Sequence, residues 1–521
     1  MKVPSLSEIP VSGRYVMVRA GLDVPFDLKK DLLDPARVSD DTRIRDIIPT
    51  LGYLIDSNAK IILAAGWAGK PTGVDPDYSM APVAKRLEQI LEEKKLLRYN
   101  VLIAPDCYND KTPKSVYKNQ EEVRRIVSSL KNGQVVVLEN VRFDPEAKVD
   151  DPKFAAFFAS LADLYVNENE TQNHRNEPTI VITPILMAEQ GKQVVYGFHY
   201  LDVLETIGKL KQKIENPERG PFVLGLCGKK IETGPGVISK VTIAYDLMDG
   251  MKKGDTVIAG AAVVYSFLLA EHYSSLIQRN IGKVNEVVAG YDGRIVAQTR
   301  GQDAEKSTSI TSELQKQKSN ELKKLLGIDD GQIKQLIGDS YITPGQEGEQ
   351  IISAYNFLAK ANSLGIRVFT AVDHTIADKK PDKSGNLPAD ANIRAYGRPT
   401  GIPAGWLGVS EGPNTLEQIS GIIQKAEIYL QSGPYSIEDR RVEEFSGADR
   451  ITFKAASVCK SNGGLTIGAG GDTTARIHVC GAEGSFSVMS GAGGATLELI
   501  TSGTSKGKEA VEAAQKMPAK P

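Results

Sequence analysis

Hydrophobic residues in the first 200 positions form short runs that alternate with longer amphipathic segments. The runs are bounded by turn-forming residues, which is typical of buried strands. The predicted strands are residues 15–18, 60–65, 100–104, 134–138 and 164–166. Segments such as MAPVAKRLEQILEEKKLL and DPKFAAFFASLADL carry apolar residues at three- and four-residue spacing, and Asp151 followed by Pro152 is typical of a helix start. This alternation predicts parallel strands joined by crossover helices.

The same pattern restarts after LDVLETIGKLKQKIENPERG, an amphipathic segment that ends in a Pro and Gly cluster. A second set of strands is predicted at residues 222–226, 256–258, 367–371, 427–430 and 465–467. We therefore predict an α/β protein with two doubly wound parallel-sheet lobes joined by a hinge helix. The predicted boundaries are 1–200 for the N-terminal lobe, 201–220 for the interdomain helix and linker, 221–505 for the C-terminal lobe, and 506–521 for a surface tail.

One part of the second lobe, residues 291–348, is more polar and reads as an insertion. Its only clear helical pattern is TSELQKQKSNELKKLLGI, in which Leu314, Leu322, Leu325 and Leu326 form a narrow apolar stripe rimmed by lysines. Such a stripe suits a helix that packs on its own domain or one that docks onto a partner protein. The sequence leaves both interpretations open.

Composition narrows the class of protein. The 521 residues are 41% hydrophobic and carry a formal net charge of −2, without the long basic block that nucleic-acid or anionic-membrane binding would need. No apolar run reaches the roughly 18–20 residues that cross a bilayer, and the start, MKVPSLSEIP, does not resemble a signal peptide. We expect a soluble cytoplasmic protein, with attachment to a larger assembly such as the cytoskeleton as an alternative.

The four cysteines are far apart and form no C-x-x-C pair, which favours buried free thiols over disulfides or a zinc site. They are Cys107, Cys227, Cys459 and Cys480.

Two glycine turns in the last third indicate an anion site. TIGAGGDTTARI and VMSGAGGATLELI each follow apolar residues and lead into a helical pattern. Glycine lets backbone N–H groups approach phosphate oxygens, and the start of a helix adds its positive end. This predicts a nucleotide phosphate cradle, in which Asp472 is a candidate ligand for the accompanying metal ion.

Cationic side chains supply further candidates. Lys229 and Lys230 follow the apolar run FVLGLCG, where they form either a contact to a transferring phosphoryl group or a solvated pair. Arg43, Arg142 and Arg175 each stand at or just beyond an apolar strand or a turn. Guanidinium groups bind carboxylate or phosphate in a bidentate manner, so three converging arginines would form an anion site. Spacing alone does not distinguish this from three unrelated surface arginines.

Several stretches, in order over nearly the whole chain, resemble phosphoglycerate kinase. They are DDTRIRDIIPTLGYLIDSNAKIILA, LENVRFDPEAKVDDPKFAAFFASLADLYVN, IPAGWLGVSEGPNT, GAGGDT and GAGGATLELI. The resemblance implies 3-phosphoglycerate bound on a basic patch of the N-terminal lobe and magnesium-bound ADP or ATP on the C-terminal lobe. It also implies lobe closure and a glycolytic phosphoryl transfer.

The resemblance implies a role for each matching residue. Arg43 and Lys230 are the implied catalytic residues, and Lys230 is the lysine that meets the transferring phosphate. The implied substrate site consists of Arg43, Arg142, Arg175, Asp23 and Lys70. The implied nucleotide site consists of Lys230, Asp439, Gly470, Gly471, Asp472, Thr473, Gly493 and Gly494, with Asp472 on the metal.

The chain departs from the family pattern at these same sites. The family's V-D-F-N-V-P stretch reads AGLDVP here, so Gly21 replaces a substrate-holding Asp and Asp23 replaces an Asn. Trp67 and Lys70 stand where the family has His and Arg. A second family lysine is represented by Gly234, and a ribose-binding Glu by Asp439.

These departures suggest a weakened kinase. A carboxylate at position 23 repels an anionic substrate, and a lysine at position 70 loses the bidentate fork of arginine. We expect a phosphoglycerate-kinase-like protein of weak or absent activity, a pseudoenzyme, that binds Mg-ATP or Mg-ADP if its nucleotide site is competent and otherwise needs no cofactor. The alternatives are an active, divergent kinase, and a non-catalytic structural or scaffold protein whose partner binds through the insertion at 291–348.

Overall fold

The computed structural model describes residues 5–66, 73–109, 111–148, 151–228, 240–299, 304–382, 385–397, 401–437 and 439–517. The chain divides into two compact units, unit 1 with Met1–Gly208 and Ser502–Pro521, and unit 2 with Lys209–Thr501.

Unit 1 is built on a six-stranded parallel sheet. Its strands are β1 (Tyr15–Ala20), β2 (Lys60–Ala64), β3 (Leu102–Ala104), β4 (Val135–Leu138), β5 (Leu164–Glu168) and β6 (Gln193–Tyr196). They are arranged in the order β3-β4-β2-β1-β5-β6, with every neighbouring pair parallel. The helices are α1 (Thr42–Asp46), α2 (Ile48–Asp56), α3 (Ala81–Glu93), α4 (Gln120–Ser128), α5 (Pro152–Ala159) and α6 (Pro178–Glu189). Helix α7 (Phe198–Glu215) begins in unit 1 and ends in unit 2.

Helix α5 shows how local sequence sets an element. The carboxylate of Asp151 accepts hydrogen bonds from the backbone N–H groups of Lys153 at 2.8 Å and Phe154 at 2.9 Å. Pro152 occupies the first turn, where a missing N–H has no consequence. The predicted helix start is therefore confirmed.

Unit 2 contains a second six-stranded parallel sheet and a small antiparallel sheet. The strands are β7 (Phe222–Leu226), β8 (Thr256–Ala259), β9 (Arg367–Phe369), β10 (Asp373–Ala377), β11 (Ile393–Gly397), β12 (Leu407–Glu411), β13 (Ile428–Ser432), β14 (Leu465–Ala469) and β15 (Val488–Ser490). The parallel sheet has the order β15-β14-β13-β7-β8-β9, and the antiparallel sheet has the order β11-β10-β12. Two helix-covered parallel sheets confirm the predicted fold class.

The helices of unit 2 pack against these sheets and against one another. They are α8 (Lys240–Leu247), α9 (Val263–Arg279), α10 (Ile281–Thr299), α11 (Ala304–Leu326), α12 (Asp330–Ile337), α13 (Glu347–Leu364), α14 (Pro413–Gln424), α15 (Arg440–Phe445), α16 (Ala448–Ser461), α17 (Gly471–Val479) and α18 (Gly493–Ser502). Residues 291–348 thus contain α11, α12 and parts of α10 and α13, more helix than the sequence pattern indicated.

The leucine stripe of α11 is buried within unit 2. Leu322 and Leu326 belong to a core cluster together with Val284 of α10 and Ile351 of α13. Leu314 packs at the other end of the stripe, in a cluster with residues of α10. Packing on its own unit therefore accounts for this stripe, and a partner for the rest of the insertion stays a prediction.

The C-terminal segment differs from the surface tail that we expected. Residues Lys506–Lys516 form a helix, α19, that packs on α6 and β6 of unit 1. Val511 is fully buried, and Ala510 and Ala514 lie beside it on the same face. Small residues at three- and four-residue spacing allow this close approach, although they make only a weak hydrophobic pattern.

The structure also describes the apolar helices and the cysteines. None of the helices in the described ranges is long and apolar enough to cross a membrane. All four cysteines are free thiols, and three of them are buried.

Candidate substrate and nucleotide sites

The turn that carries Arg142 is fixed by a buried carboxylate. Glu139, directly after β4, accepts hydrogen bonds from the hydroxyl of Ser79 at 2.7 Å and the backbone N–H groups of Met80 at 2.6 Å and Asn140 at 2.7 Å. Burial raises the pKa of Glu139, although these hydrogen bonds oppose the rise. Asn140 in turn accepts a hydrogen bond from the backbone N–H of Arg142 at 3.0 Å. These contacts hold the backbone of Arg142 in place beyond the carboxyl end of the sheet.

The guanidinium of Arg142 contacts an internal carboxylate, that of Glu177. Its Nε donates to Oε1 of Glu177 at 3.0 Å, and its Nη2 donates to the same oxygen. The other oxygen of Glu177 lies 3.3 Å from Nη2 of Arg19, a fully buried residue of β1. Both arginines therefore share one carboxylate, which is itself only 5% exposed.

Arg19 and Glu177 were missed by the sequence analysis. Arg19 also donates to the side chains of Gln172 at 3.0 Å and Thr179 at 3.1 Å, and burial lowers its pKa. The available signals were an arginine inside an apolar strand and a glutamate directly before Pro178, at the start of a helix. Neither signal indicates which partner the side chain contacts.

Asp23 and Arg43 form a second internal ion pair. Oδ1 of Asp23 lies 2.8 Å from Nη1 of Arg43 and accepts a hydrogen bond from the hydroxyl of Thr171 at 2.7 Å. Arg43 lies in the first turn of α1, and Thr171 lies in the loop after β5. The residue that replaces the family's Asn thus holds one of the predicted substrate arginines.

The neighbouring position 21 is closed to a side chain. A Cβ built on Gly21 would overlap the hydroxyl oxygen of Thr171 and would lie 3.0 Å from Oδ1 of Asn169. A side chain at position 21 would therefore require Thr171 to shift.

His174 and Arg175 complete the cluster from the loop between β5 and α6. Burial and the positive charges of Arg175 and Arg142 together lower the pKa of His174 to about 4, against the opposing charges of Glu177 and Asp23. Arg175 is exposed, and its guanidinium has no ion pair within the described ranges. The structure thus brings Arg142 and Arg175 together, with Arg43 joined through Asp23. Lys70 and Trp67 lie outside the described residues.

The first glycine turn of unit 2 has the geometry of a strand-to-helix transition. β14 ends at Ala469, Gly470 has a φ of +104°, and α17 begins at Gly471. Only glycine adopts such a φ without strain. The side chain of Asp472 is exposed in the first turn. Thr473 is buried, and its hydroxyl donates to Ala469 O at 2.8 Å and accepts from the N–H of Gly433 at 2.8 Å.

The carboxylate of Asp439 forms hydrogen bonds and an ion pair within the protein. Its carboxylate caps α15 by accepting from the N–H of Arg441 at 2.9 Å, and it also accepts from the N–H of Leu387 at 2.8 Å. The guanidinium of Arg441 lies 3.0 Å from Oδ2. Burial raises the pKa of Asp439, but these contacts outweigh it, so the pKa is lowered overall. Gly493 begins α18, followed by Gly494, while Lys230 and Gly234 lie outside the described residues.

A cavity of about 750 Å³ lies within unit 2. Part of its wall follows the carboxyl ends of parallel strands: Gly228 after β7, Ala261 after β8, Pro434 after β13 and Asp472 after β14. Another part is apolar and includes Ile333 and Ile337 of α12, Ile342 and Leu407. The wall also carries charged side chains, among them Asp330, Lys334 and Glu347. Open α/β sheets bind ligands in the crevice outside the carboxyl ends of their strands.

The groups in this wall fit a magnesium-bound nucleotide. Within the described part of the chain, no group of three or more His, Cys, Asp and Glu side chains is arranged to hold a metal ion. Mg²⁺ is usually held by one or two carboxylates together with phosphate oxygens and water. The exposed carboxylate of Asp472 would serve as such a ligand, and the N-terminus of α17 would face phosphate.

Comparison with known proteins assigns the class that this fold and these sites define. The family model of phosphoglycerate kinase matches residues 6–334 and 332–503. The chain therefore belongs to the phosphoglycerate kinase family, whose members bind nucleotide and 3-phosphoglycerate.

Individual relatives are distant but nearly full-length. Chloroplastic phosphoglycerate kinase 2 of Arabidopsis thaliana is 29% identical over 502 residues, which cover 96% of this chain and 80% of that protein. Phosphoglycerate kinase of Aquifex aeolicus is 28% identical over 501 residues, 96% of each chain. The structures of phosphoglycerate kinase from Coxiella burnetii and Pyrococcus horikoshii share the fold, with TM-scores of 0.61 and 0.64, identities of 20% and 19%, and coverage of 98% of this chain and 99% of each structure.

Proposed function

We propose that this chain binds Mg-ADP or Mg-ATP in the cavity of unit 2, and that its phosphoryl transfer to 3-phosphoglycerate is weak or absent. The observation that carries the second part is the contact between Arg142 and Glu177. An arginine expected to bind an anionic substrate already binds a carboxylate of its own chain.

The charges of the cluster support this proposal. Four arginines, Arg19, Arg43, Arg142 and Arg175, face two carboxylates that contact three of them. A substrate that binds Arg142 must compete with Glu177, which is covalently tethered and already desolvated. A hydrogen bond to a charged group contributes about 1.5–3 kcal/mol, so each displaced contact weakens substrate binding by about tenfold or more.

The surroundings of position 21 also weaken substrate binding. Gly21 has no side chain that could hold a substrate hydroxyl, and Thr171 lies in the space where such a side chain would begin. The ion pair of Asp23 with Arg43 adds a negative charge to the surface that would receive an anion.

The nucleotide part rests on the cavity and the glycine turn of α17. Magnesium would supply charge neutralisation of the phosphate oxygens when bound. The residues of the chain contribute the N-terminus of α17, the carboxylate of Asp472 and an apolar wall from α12. These residues bind and orient the nucleotide. We expect them to do so even if the 3-phosphoglycerate site of unit 1 is weakened.

Calorimetry and a coupled assay test both parts. We expect Mg-ADP to bind, 3-phosphoglycerate to bind poorly, and turnover with Mg-ATP and 3-phosphoglycerate to lie far below the roughly 1–100 per second of ordinary kinases. Glu177→Gln should increase the affinity for 3-phosphoglycerate at least tenfold, because it releases Arg142 from a charged partner. Glu189→Gln, at the exposed end of α6, makes the same charge change and should leave that affinity unaltered.

Ordinary kinase turnover of the unaltered protein would overturn the proposal of weak activity. Equal 3-phosphoglycerate affinities of the Glu177→Gln and Glu189→Gln variants would show that Glu177 does not compete with the substrate.

A further inference from the structure

Glu411, the last residue of β12, is a buried carboxyl group whose hydrogen bonds are incomplete. It is 1% exposed, and its Oε1 accepts from the backbone N–H of Ala261 at 2.6 Å. Its Oε2 is buried and has no hydrogen-bond partner within the ranges that the structure describes. Buried polar atoms are nearly always paired, so an orphaned carboxyl oxygen calls for a partner from outside the described protein.

The position of Glu411 indicates where that partner binds. Glu411 belongs to the wall of the unit 2 cavity, together with Gly228, Ala261 and Asp472. Ala261, its hydrogen-bond donor, lies just beyond β8, and β8 pairs with β7, which leads to Gly228. Glu411 is therefore attached to the wall at the end of β8, which β7 and β13 separate from β14 and its glycine turn.

We propose that Glu411 is a ligand-binding residue of this cavity, whose protonated Oε2 donates a hydrogen bond to an anionic phosphate oxygen. The proposal rests on the proposed function in one respect, that the cavity takes a phosphorylated ligand. It goes further by adding a carboxylic acid to the groups that bind the phosphate.

The surroundings of Glu411 favour its protonated form. Burial, together with the negative charges of Asp449 and Asp373, raises the pKa of Glu411 to about 8 against the opposing hydrogen bond from the N–H of Ala261. Burial and the negative charge of Glu411 raise the pKa of Tyr265 of α9, and the ring of His374 of β10 lies tilted beside that tyrosine with ring centroids 5.6 Å apart. An ionised Glu411 would repel a phosphate, whereas a neutral carboxyl is a hydrogen-bond donor.

Two probes and two matched variants test the proposal. The probes are inorganic pyrophosphate without metal and Mg-ADP, titrated calorimetrically at pH 7 and pH 9. Glu411→Gln keeps an acceptor for Ala261 and a donor for phosphate but does not titrate. Glu417→Gln changes an exposed residue of α14 outside the cavity wall, and serves as the control. Comparing the two variants cancels the ionisation of the ligands themselves.

The expected result is a difference in pH response. The affinity of the unaltered protein and of Glu417→Gln for pyrophosphate should fall by about tenfold more between pH 7 and pH 9 than that of Glu411→Gln, since one pH unit above its pKa leaves about a tenth of a group protonated. Glu411→Met, which has no donor, should bind at least tenfold more weakly than Glu411→Gln at pH 7, with thermal unfolding confirming that each variant is folded.

The outcomes separate this proposal from the proposed function. Identical pH responses of Glu411→Gln and Glu417→Gln would overturn the role of Glu411, even where Mg-ADP binds. Pyrophosphate binding that depends on Glu411, without Mg-ADP binding, would support Glu411 and contradict the nucleotide assignment. A protein that binds neither probe would overturn both.

Discussion

Arg142 and Glu177 are joined by a hydrogen bond of 3.0 Å between Nε and Oε1, and the second oxygen of Glu177 lies 3.3 Å from a guanidinium nitrogen of Arg19. Glu177 is thus the counterion of a fully buried arginine as well as the partner of a predicted substrate arginine. The same residue therefore links the stability of unit 1 to its anion-binding surface.

Removing the charge of Glu177 should destabilise unit 1. We expect Glu177→Gln to lower the free energy of unfolding by about 3 kcal/mol, because the guanidinium of Arg19 is left buried without its counterion. Urea denaturation measures this change, and the exposed Glu189→Gln should stay within about 0.5 kcal/mol of the unaltered protein. A stability of Glu177→Gln equal to that of the control would contradict this role.

Placing an aspartate at position 21, without any other change, should destabilise unit 1. The new Cβ overlaps the hydroxyl oxygen of Thr171, so Gly21→Asp should lose about 1–3 kcal/mol of stability. The double variant Gly21→Asp with Thr171→Ala should recover part of the loss. Gly73→Asp is the control in denaturant unfolding, because a Cβ added at Gly73 would meet no heavy atom within 4 Å. A single variant as stable as the control would show that Thr171 yields easily.

The stability of unit 1 should depend on pH through His199. Burial lowers the pKa of His199, but the hydrogen bond and charge of Glu170 outweigh it and raise the pKa to about 9. Because the pKa of His199 is higher in the folded state than in the unfolded state, where it is about 6.5, protonated His199 stabilises the fold. This stabilisation is complete below about pH 6.5 and is lost as the pH rises from about 6.5 through 9.

We expect this loss to reach about 2–3 kcal/mol between pH 6 and pH 9.5. His199→Gln should remove that part of the slope in urea unfolding, whereas His272→Gln, an exposed histidine of α9, should keep it. Parallel slopes for the two variants would count against the ion pair with Glu170.

Helix α19 should support the loop that carries Arg175 and Glu177. The N–H of Gly507 donates to the carbonyl of Asn173 at 2.9 Å, and a Cβ on Gly507 would overlap the side chain of Asn173. Gly507→Ala should therefore cost about 1–3 kcal/mol in thermal or urea unfolding. Gly208→Ala, in α7 with open space around it, should be neutral or stabilising by up to about 1 kcal/mol. If Gly507→Ala left the free energy of unfolding unchanged, α19 could move away from Asn173 without loss of stability.

The leucine stripe of α11 should contribute to the core of unit 2. Leu322 is fully buried, so Leu322→Ala should destabilise the protein by about 3 kcal/mol. Leu364 of α13 is 37% exposed, and Leu364→Ala should cost less than about 1 kcal/mol. If Leu322→Ala were as stable as Leu364→Ala, the leucine stripe would not contribute to the core of unit 2.

One of the strands that the sequence did not predict has a clear physical explanation. Strand β10, DHTIA, is buried along its whole length although it contains Asp373, His374 and Thr375. Asp373 accepts hydrogen bonds from the N–H and hydroxyl of Thr415, which lies 42 positions away. Burial of such a strand depends on partners that a hydrophobic pattern cannot show. Strands β6 and β15, four and three residues long, were not predicted either.

The order of apolar runs and amphipathic segments determined the two parallel sheets, their crossover helices and the start of α5, because these depend on periodicity and on local backbone chemistry. The family resemblance indicated which arginines and glycines belong to the expected substrate and nucleotide sites. Only the tertiary structure decided how they are used: Arg142 meets a carboxylate 35 positions away, and Asp23 meets a hydroxyl 148 positions away. Charge pairing and steric closure act through space over a few ångströms, so they follow from the folded contacts and not from the order of residues.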